Sequence, residues 1–212
     1  MKIFVIHYKK LIDRKAHILK QFEQFNITDY EFIEIDRDDL CGQNIDTFEP
    51  YYCKSQMAIT LSHFYAYNEI RLKYDCGLIF EDDVILSDNF VDTFAKYVED
   101  LPEDYDMLFI GNGCSLHIPD HKLIPNKNIY KKCVYECSDE PVTAGRCADS
   151  YLVSKKCAIN ICNYIDNLKY KINIPVDWWL NTAARDNDLQ IYWSEPTIVT
   201  QGTQNGTFTS SH

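Results

Sequence analysis

The chain has 212 residues, 46% hydrophobic and 25% charged, which predicts one globular domain able to bury its own core. Its net charge of -11 disfavours nucleic acid and anionic membranes as partners, and a phosphate-bearing ligand would need a local cation. No apolar run reaches the roughly 20 residues of a membrane span, and the opening MKIFVIHYKKL has no leader-type cleavage site, so a cytoplasmic protein is expected.

Residues 2–7 form a short, β-branched apolar run and predict a buried strand. Residues 11–25 place Leu11, Ile18, Leu19, Phe22 and Phe25 at helical spacing, so an amphipathic helix follows. A second strand is expected at 30–35, and the longest helical pattern covers 55–74. The run CGLIF at 76–80 predicts a third buried strand, leading directly into Glu81, Asp82 and Asp83. Ser87 reads as an N-cap for a helix at 90–98. A fourth strand at 105–110 is ended by Gly111, Asn112 and Gly113, and residues 114–128 read as a loop. Residues 149–153 predict a strand, with Ser154 capping a helix that ends near 168. Pro175 opens a short helix over 176–184, and 189–193 is the last strand. A flexible tail from about 201 has little with which to build a core.

Strands alternating with helices predict an α/β sandwich around a mostly parallel sheet. Ligands of such sheets bind beyond the carboxyl ends of the strands, where the acidic triplet stands. If the strand continues, Glu81 and Asp83 point to one side, and two adjacent carboxylates repel unless a cation sits between them. A hard ion such as Mn²⁺ or Mg²⁺ suits these oxygens and leaves positions for phosphate. The competing reading is an acidic turn in which an Asp caps a helix.

The nine cysteines include no CxxC pair. Cys133 and Cys137 are four apart with no second pair of zinc-type spacing, so most of the cysteines are expected to be reduced and several to be small core residues. The sequons at Asn26 and Asn205 read as chance matches.

Five segments in order resemble glycosyltransferase family 25, which includes lipooligosaccharide galactosyltransferases and collagen β-galactosyltransferases. They are the opening strand with Asp13-Arg14, Leu61-Ser62-His63, the strand ending in Glu81-Asp82-Asp83, Ser150-Tyr151-Leu152-Val153-Ser154, and Pro175-Val176-Asp177 before a helix. His7, the segment 145–149 and Gln201 depart from the family pattern. The resemblance implies a GT-A fold, a UDP-sugar donor carrying galactose or glucose, Mn²⁺ (or Mg²⁺) dependence and inversion at the sugar carbon. The acceptor would be a glycan, a lipid-linked glycan or a protein hydroxyl.

Carried onto this chain, the resemblance makes Asp83 the first metal ligand. Glu81 is a second ligand, or, with Asp82, a donor contact to ribose or metal-bound water. Arg14, Gly111 and Asn112 are donor-binding candidates, against an ion pair for Arg14 and a plain turn for Gly111. Asp177 has two readings, a general base for the acceptor hydroxyl or a carboxylate favoured by its helix dipole, with Asp149 as the next candidate base. His63 reads as a hydrogen-bonded structural or donor-supporting residue, and Gln201 and Asn205 as weak candidates on a lid-like tail. Two other classes stay open: a metal-dependent phosphoester hydrolase, opposed by Glu81 where an aspartyl nucleophile is needed, and a degenerate transferase that only binds nucleotide sugar.

Overall fold

The structure is a computed structural model, described over residues 1–132 and 144–210. Cys133 and Cys137 therefore lie outside the described residues. In the first half of the chain, β1 (Lys2–Ile6), α1 (Ile12–Gln24) and β2 (Tyr30–Ile33) precede the long α2 (Lys54–Lys73). Next come β3 (Cys76–Glu81), β4 (Val84–Leu86), α3 (Phe90–Asp100), β5 (Met107–Phe109) and β6 (Ile129–Lys132). The chain continues with β7 (Ser150–Ser154), α4 (Lys155–Asp166), α5 (Val176–Asp186), β8 (Ile191–Ser194) and β9 (Val199–Gln201).

Alternating side chains explain the layering. In β1, Phe4 and Ile6 join one apolar cluster while Ile3 and Val5 join another, and all four are buried. A strand buried on both faces needs a helix layer on each side. The first cluster draws Leu61, Tyr67 and Ile70 from α2, Ile161 from α4 and Trp179 from α5. The second draws Ile18 and Phe22 from α1, and Phe90, Phe94 and Tyr97 from α3.

The seven-stranded sheet runs β2-β1-β3-β7-β5-β8-β6. β2, β1, β3, β5 and β8 share one direction, and β7 and β6 oppose it. The expected α/β sandwich with a mostly parallel sheet is what the chain forms. The reversed β7 has a consequence for function. It brings its amino end to the edge where β3 and β5 finish: Phe80 pairs with Ser150, and Glu81 N–H donates to the Asp149 carbonyl at 2.8 Å. Ile110 N–H donates to the Ser150 carbonyl at 3.2 Å, so Glu81, Asp149 and Gly111 arrive at one level of the sheet.

Three short strands depart from expectation. β6, β4 and β9 span only three or four residues, and β4 and β9 form a separate two-stranded sheet. The tail expected from about 201 thus begins with Gln201 inside β9, paired with Val84. Ser154 caps α4 as read, accepting from Cys157 N–H at 3.1 Å. Ser87 does not cap α3. Asn89 holds the cap position, and the Ser87 hydroxyl donates to its side chain at 3.0 Å. Seven cysteines are free among the described residues, and of these Cys157 and Cys162 are the buried ones. No helix among the described residues is long and apolar enough to cross a membrane.

Candidate active site

Glu81, Asp83, Asp149 and Asp177 lie close enough, at the edge formed by β3, β7 and the start of α5, to oppose one another's ionisation. Burial raises the Glu81 carboxyl well above its ordinary range, and the charges of Asp83, Asp177, Asp149 and Asp82 push it further. Asp149 is 1% exposed, and burial raises it to about 7, reinforced by Asp83 and Asp177 and opposed by a hydrogen bond from the Ser150 hydroxyl at 2.8 Å. These acids resist ionising together, the condition under which a cation is favoured between them.

The strand ends at Glu81, and Asp82 and Asp83 form the turn to β4, both buried. Asp82 has an environment of its own. It is buried, and both of its oxygens are engaged by the protein. Oδ1 accepts from Arg14 at 2.8 Å, while Oδ2 lies 2.8 Å from His7 Nδ1 and accepts from Tyr8 N–H at 3.4 Å. Arg14 is buried on α1 rather than at the surface, and this ion pair ties α1 to the ends of β1 and β3. Asp82 and Arg14 thus form the floor of a cleft of about 510 Å³, counting its open mouth. His7, Tyr8, Arg37, Ser55, Ser62 and Glu81 also line it. Arg37 lies over the Tyr8 ring at 3.9 Å, and the Tyr8 hydroxyl donates to Asp38 at 2.5 Å.

His63 is fully buried, and desolvation lowers its pKa to about 3, so it is neutral. Its Nδ1 lies 2.7 Å from the Tyr151 hydroxyl, which meets the Tyr67 hydroxyl at 2.6 Å. Its Nε2 stands 3.9 Å from Glu81 without a hydrogen-bond partner. This is the hydrogen-bonded core histidine expected from its helix position.

Segment 144–149 is held from beneath by α5. The Asn181 side chain accepts from Ala144 and Gly145 N–H at 2.9 Å each, and Asp177 Oδ1 accepts from Ala148 N–H at 2.6 Å. Arg146, buried, pairs with Glu195 and lies 4.4 Å over Trp193. Across the site, Gly111 is needed for close approach: a Cβ there would stand 2.3 Å from both Asp149 Oδ2 and Ser150 Oγ. Asn112 follows, with a buried Oδ1 that has no hydrogen-bond partner. Cys114 and Cys147 bring their sulfurs to 3.3 Å beside this loop. Asp177 itself is half-buried, Trp178 is 62% exposed next to it, and Trp179 packs in the core against Phe64.

The side chains present fit a hard divalent ion in part. Asp83 Oδ1 is buried and has no hydrogen-bond partner, and Glu81 and Asp149 are carboxyls whose ionisation burial opposes. No group of three or more His, Cys, Asp or Glu among the described residues is arranged to enclose an ion. One or two carboxylates alone would suit only an open site, in which phosphate and water would complete the coordination.

Sequence reasoning placed the triplet, Asp149 and Asp177, which the fold brings together. It missed the use of His7 to hold Asp82, although His7 stood out as a departure from the expected pattern. It also missed the contacts of residues 202–209 with the triplet, for which the Thr- and Gly-rich composition carries no signal.

The sequence pattern of glycosyltransferase family 25 (LPS biosynthesis protein) matches residues 1–180. "Putative glycosyltransferase R655" of Acanthamoeba polyphaga mimivirus is 28% identical over 123 residues, which are 52% of this chain and 37% of that protein. The match therefore spans little more than a third of that relative's length. Among solved structures, a mutant Drosophila β1,4-galactosyltransferase 7 in complex with manganese, UDP-Gal and xylobiose gives a TM-score of 0.48 at 9% identity, covering 100% of this chain and 75% of that one. An active-site mutant of LgtC gives 0.46 at 11% identity, covering 95% and 86%. A glycosyltransferase involved in glycosylation of the major capsid of PBCV-1 gives 0.42 at 8% identity, covering 92% and 93%.

Proposed function

The chain belongs to glycosyltransferase family 25, and from that premise we propose that it is a GT-A type enzyme moving galactose or glucose from a UDP-sugar to an acceptor hydroxyl, with inversion. The acceptor class is a glycan, a lipid-linked glycan or a protein. The observation that carries this reading is the meeting of Glu81, Asp83, Asp149 and Asp177 beside the cleft at the ends of β1 and β3. Buried, mutually perturbed acids cluster at functional sites, and transfer to a hydroxyl calls for a carboxylate base beside a charge-stabilising cation.

In this reading the nucleotide lies in the cleft over Tyr8 and Arg37, and its diphosphate reaches toward Asp83. Asp83, through Oδ1, and Glu81 would hold Mn²⁺ or Mg²⁺, which neutralises the charge that develops on the leaving nucleotide. Asp82 sets the floor through Arg14 and His7 and so acts on the donor by shaping the cleft. Gly111 and Asn112 face the donor sugar from the end of β5. Asp177 takes the proton of the acceptor hydroxyl as that oxygen attacks the sugar carbon, and the exposed Trp178 offers an apolar face to an acceptor ring.

The test is nucleotide release from a panel of UDP- and GDP-sugars, with Mn²⁺ and with chelator. Release from UDP-galactose or UDP-glucose that chelator abolishes and Mn²⁺ restores is the expected result. Asp83→Asn should remove most Mn²⁺-dependent UDP binding in calorimetry. Full release in chelator, or unchanged metal-dependent binding by that variant, overturns the assignment of Asp83.

A further inference from the structure

Asp83 is held by a segment far from it in the chain and beyond the residues that match the family pattern. β9 pairs with β4 so that Gln201 stands opposite Val84, which carries the next residues over the acid. Gly202 N–H donates to the Asp83 carbonyl at 2.7 Å. Thr203 then donates twice to Asp83 Oδ2, from its N–H at 3.2 Å and from its hydroxyl at 2.5 Å. The approach is close: a Cβ on Gly202 would stand 2.8 Å from the Asp83 carbonyl oxygen and 2.5 Å from the Phe208 ring. Phe208 lies 5.4 Å beneath the Arg14 guanidinium and 5.2 Å from the His17 ring, and Arg14 also donates to the Thr209 carbonyl at 2.7 Å. One segment therefore grips Asp83 and the arginine that neutralises Asp82.

The two oxygens of Asp83 have opposite environments. Oδ2 receives two donors, whereas Oδ1 is buried with no hydrogen-bond partner. A buried acceptor without a partner needs an explanation, and a cation approaching from that side supplies one. Two donors on Oδ2 stop the carboxylate from rotating and oppose bidentate chelation. They leave Oδ1 as the single oxygen presented.

We infer that Thr203 is a positioning residue for sugar transfer, fixing Asp83 so that Oδ1 alone faces the divalent ion. Residues 199–209 thus belong to the donor site. The inference rests on the reading of Asp83 as a metal ligand. Outer partners of metal ligands of this kind typically contribute on the order of 10- to 100-fold in metal affinity.

The test compares Thr203→Val, Thr203→Ser and Asp83→Asn. Mn²⁺ binding is measured from the resonance of free Mn²⁺, with and without UDP, and thermal melting is followed in chelator. Thr203→Val, which keeps shape and N–H but loses the hydroxyl, should weaken Mn²⁺ binding by about 10- to 100-fold. Thr203→Ser should return it close to wild type. Loss of binding in Asp83→Asn with normal binding in Thr203→Val overturns the inference and leaves the metal assignment standing. Normal binding in Asp83→Asn overturns both. A Thr203→Val protein that melts earlier in chelator but binds Mn²⁺ normally shows an ordinary structural contact, which also overturns the inference, as does failure of serine to rescue.

Discussion

Asp149 shows what burial does to one carboxyl group. Its pKa in the folded protein is raised to about 7 from an ordinary 3.8. The raised pKa means that the native state holds this proton more tightly than the unfolded chain. The associated stability is fully present below about pH 4 and is lost as pH rises through about 7. Above pH 7 the folded protein must bury an ionised carboxylate beside Asp83 and Asp177, which destabilises it. Asp149→Asn should therefore raise the melting temperature in chelator at pH 8 and flatten its decline between pH 4 and 8. An unchanged pH profile would show that relaxation of the site already relieves the strain. Asp177 differs because it is half-buried and already accepts the Ala148 N–H. Asp177→Asn keeps an oxygen for that contact. Turnover should fall by about 10² to 10⁴ while Mn²⁺ and UDP affinities stay near wild type, the signature of a group that acts as the bond forms. Near-normal transfer by this variant would reduce Asp177 to its role beneath Ala148 and move the search for a base to Asp149.

Among the elements, β7 is a strand with two different ends. At one end Ser154 caps α4, and at the other Asp149 and Ser150 face the site across Gly111. Ser154→Ala should cost about 1 kcal/mol of stability, read from denaturant unfolding, and leave the donor KM unchanged. Gly111→Ala forces a methyl into the space of two side-chain oxygens. It should cost about 1–3 kcal/mol and also lower kcat/KM, because Asp149 or the loop must move. If Gly111→Ala lost stability alone, the close approach would serve the turn and not the site. The same elements show what the sequence could reveal. The long segments were legible: α1 and α4 repeat a helical pattern that a reader can count, α2 is the longest helical stretch, and β1 and β3 are continuous apolar runs. β4 and β9 were not, because a two-stranded rim ladder such as Val84 with Gln201 depends on pairing between distant segments, and β6 lies at the sheet edge after a loop-like stretch. The order β3-β7-β5 was also hidden, since an antiparallel insertion depends on contacts between distant segments. That order, more than any local motif, places Asp149 beside Glu81. The acids themselves were legible by residue type and strand end, but the engagement of both Asp82 oxygens required knowing where His7 and Arg14 lie.

At the scale of the whole molecule, residues 202–209 and a bound donor would share Asp83. Val84 to Gln201 begins a short ladder at the rim, and the segment beyond it is held by Asp83, Arg14, the seat of Phe208 and a hydrogen bond from Cys114 N–H to Gln204 Oε1. Contacts of this kind open locally more readily than a sheet core does. If the ligated form of Asp83 requires the segment to be seated, then ligand binding and seating are one linked equilibrium, and each must favour the other by the same free energy. The amide hydrogens of Gly202 and Thr203, both donated to Asp83, make that equilibrium visible as isotope exchange with solvent. With Mn²⁺ and UDP at about 100 times their dissociation constant, exchange at these two amides should slow by up to about 100-fold, while amides of β3 deep in the sheet change little. Equal protection at both places would mean that the ligand stabilises the whole domain. Selective protection at residues 202 and 203 would mean that the donor, on arriving, also decides whether the far end of the chain stays in place.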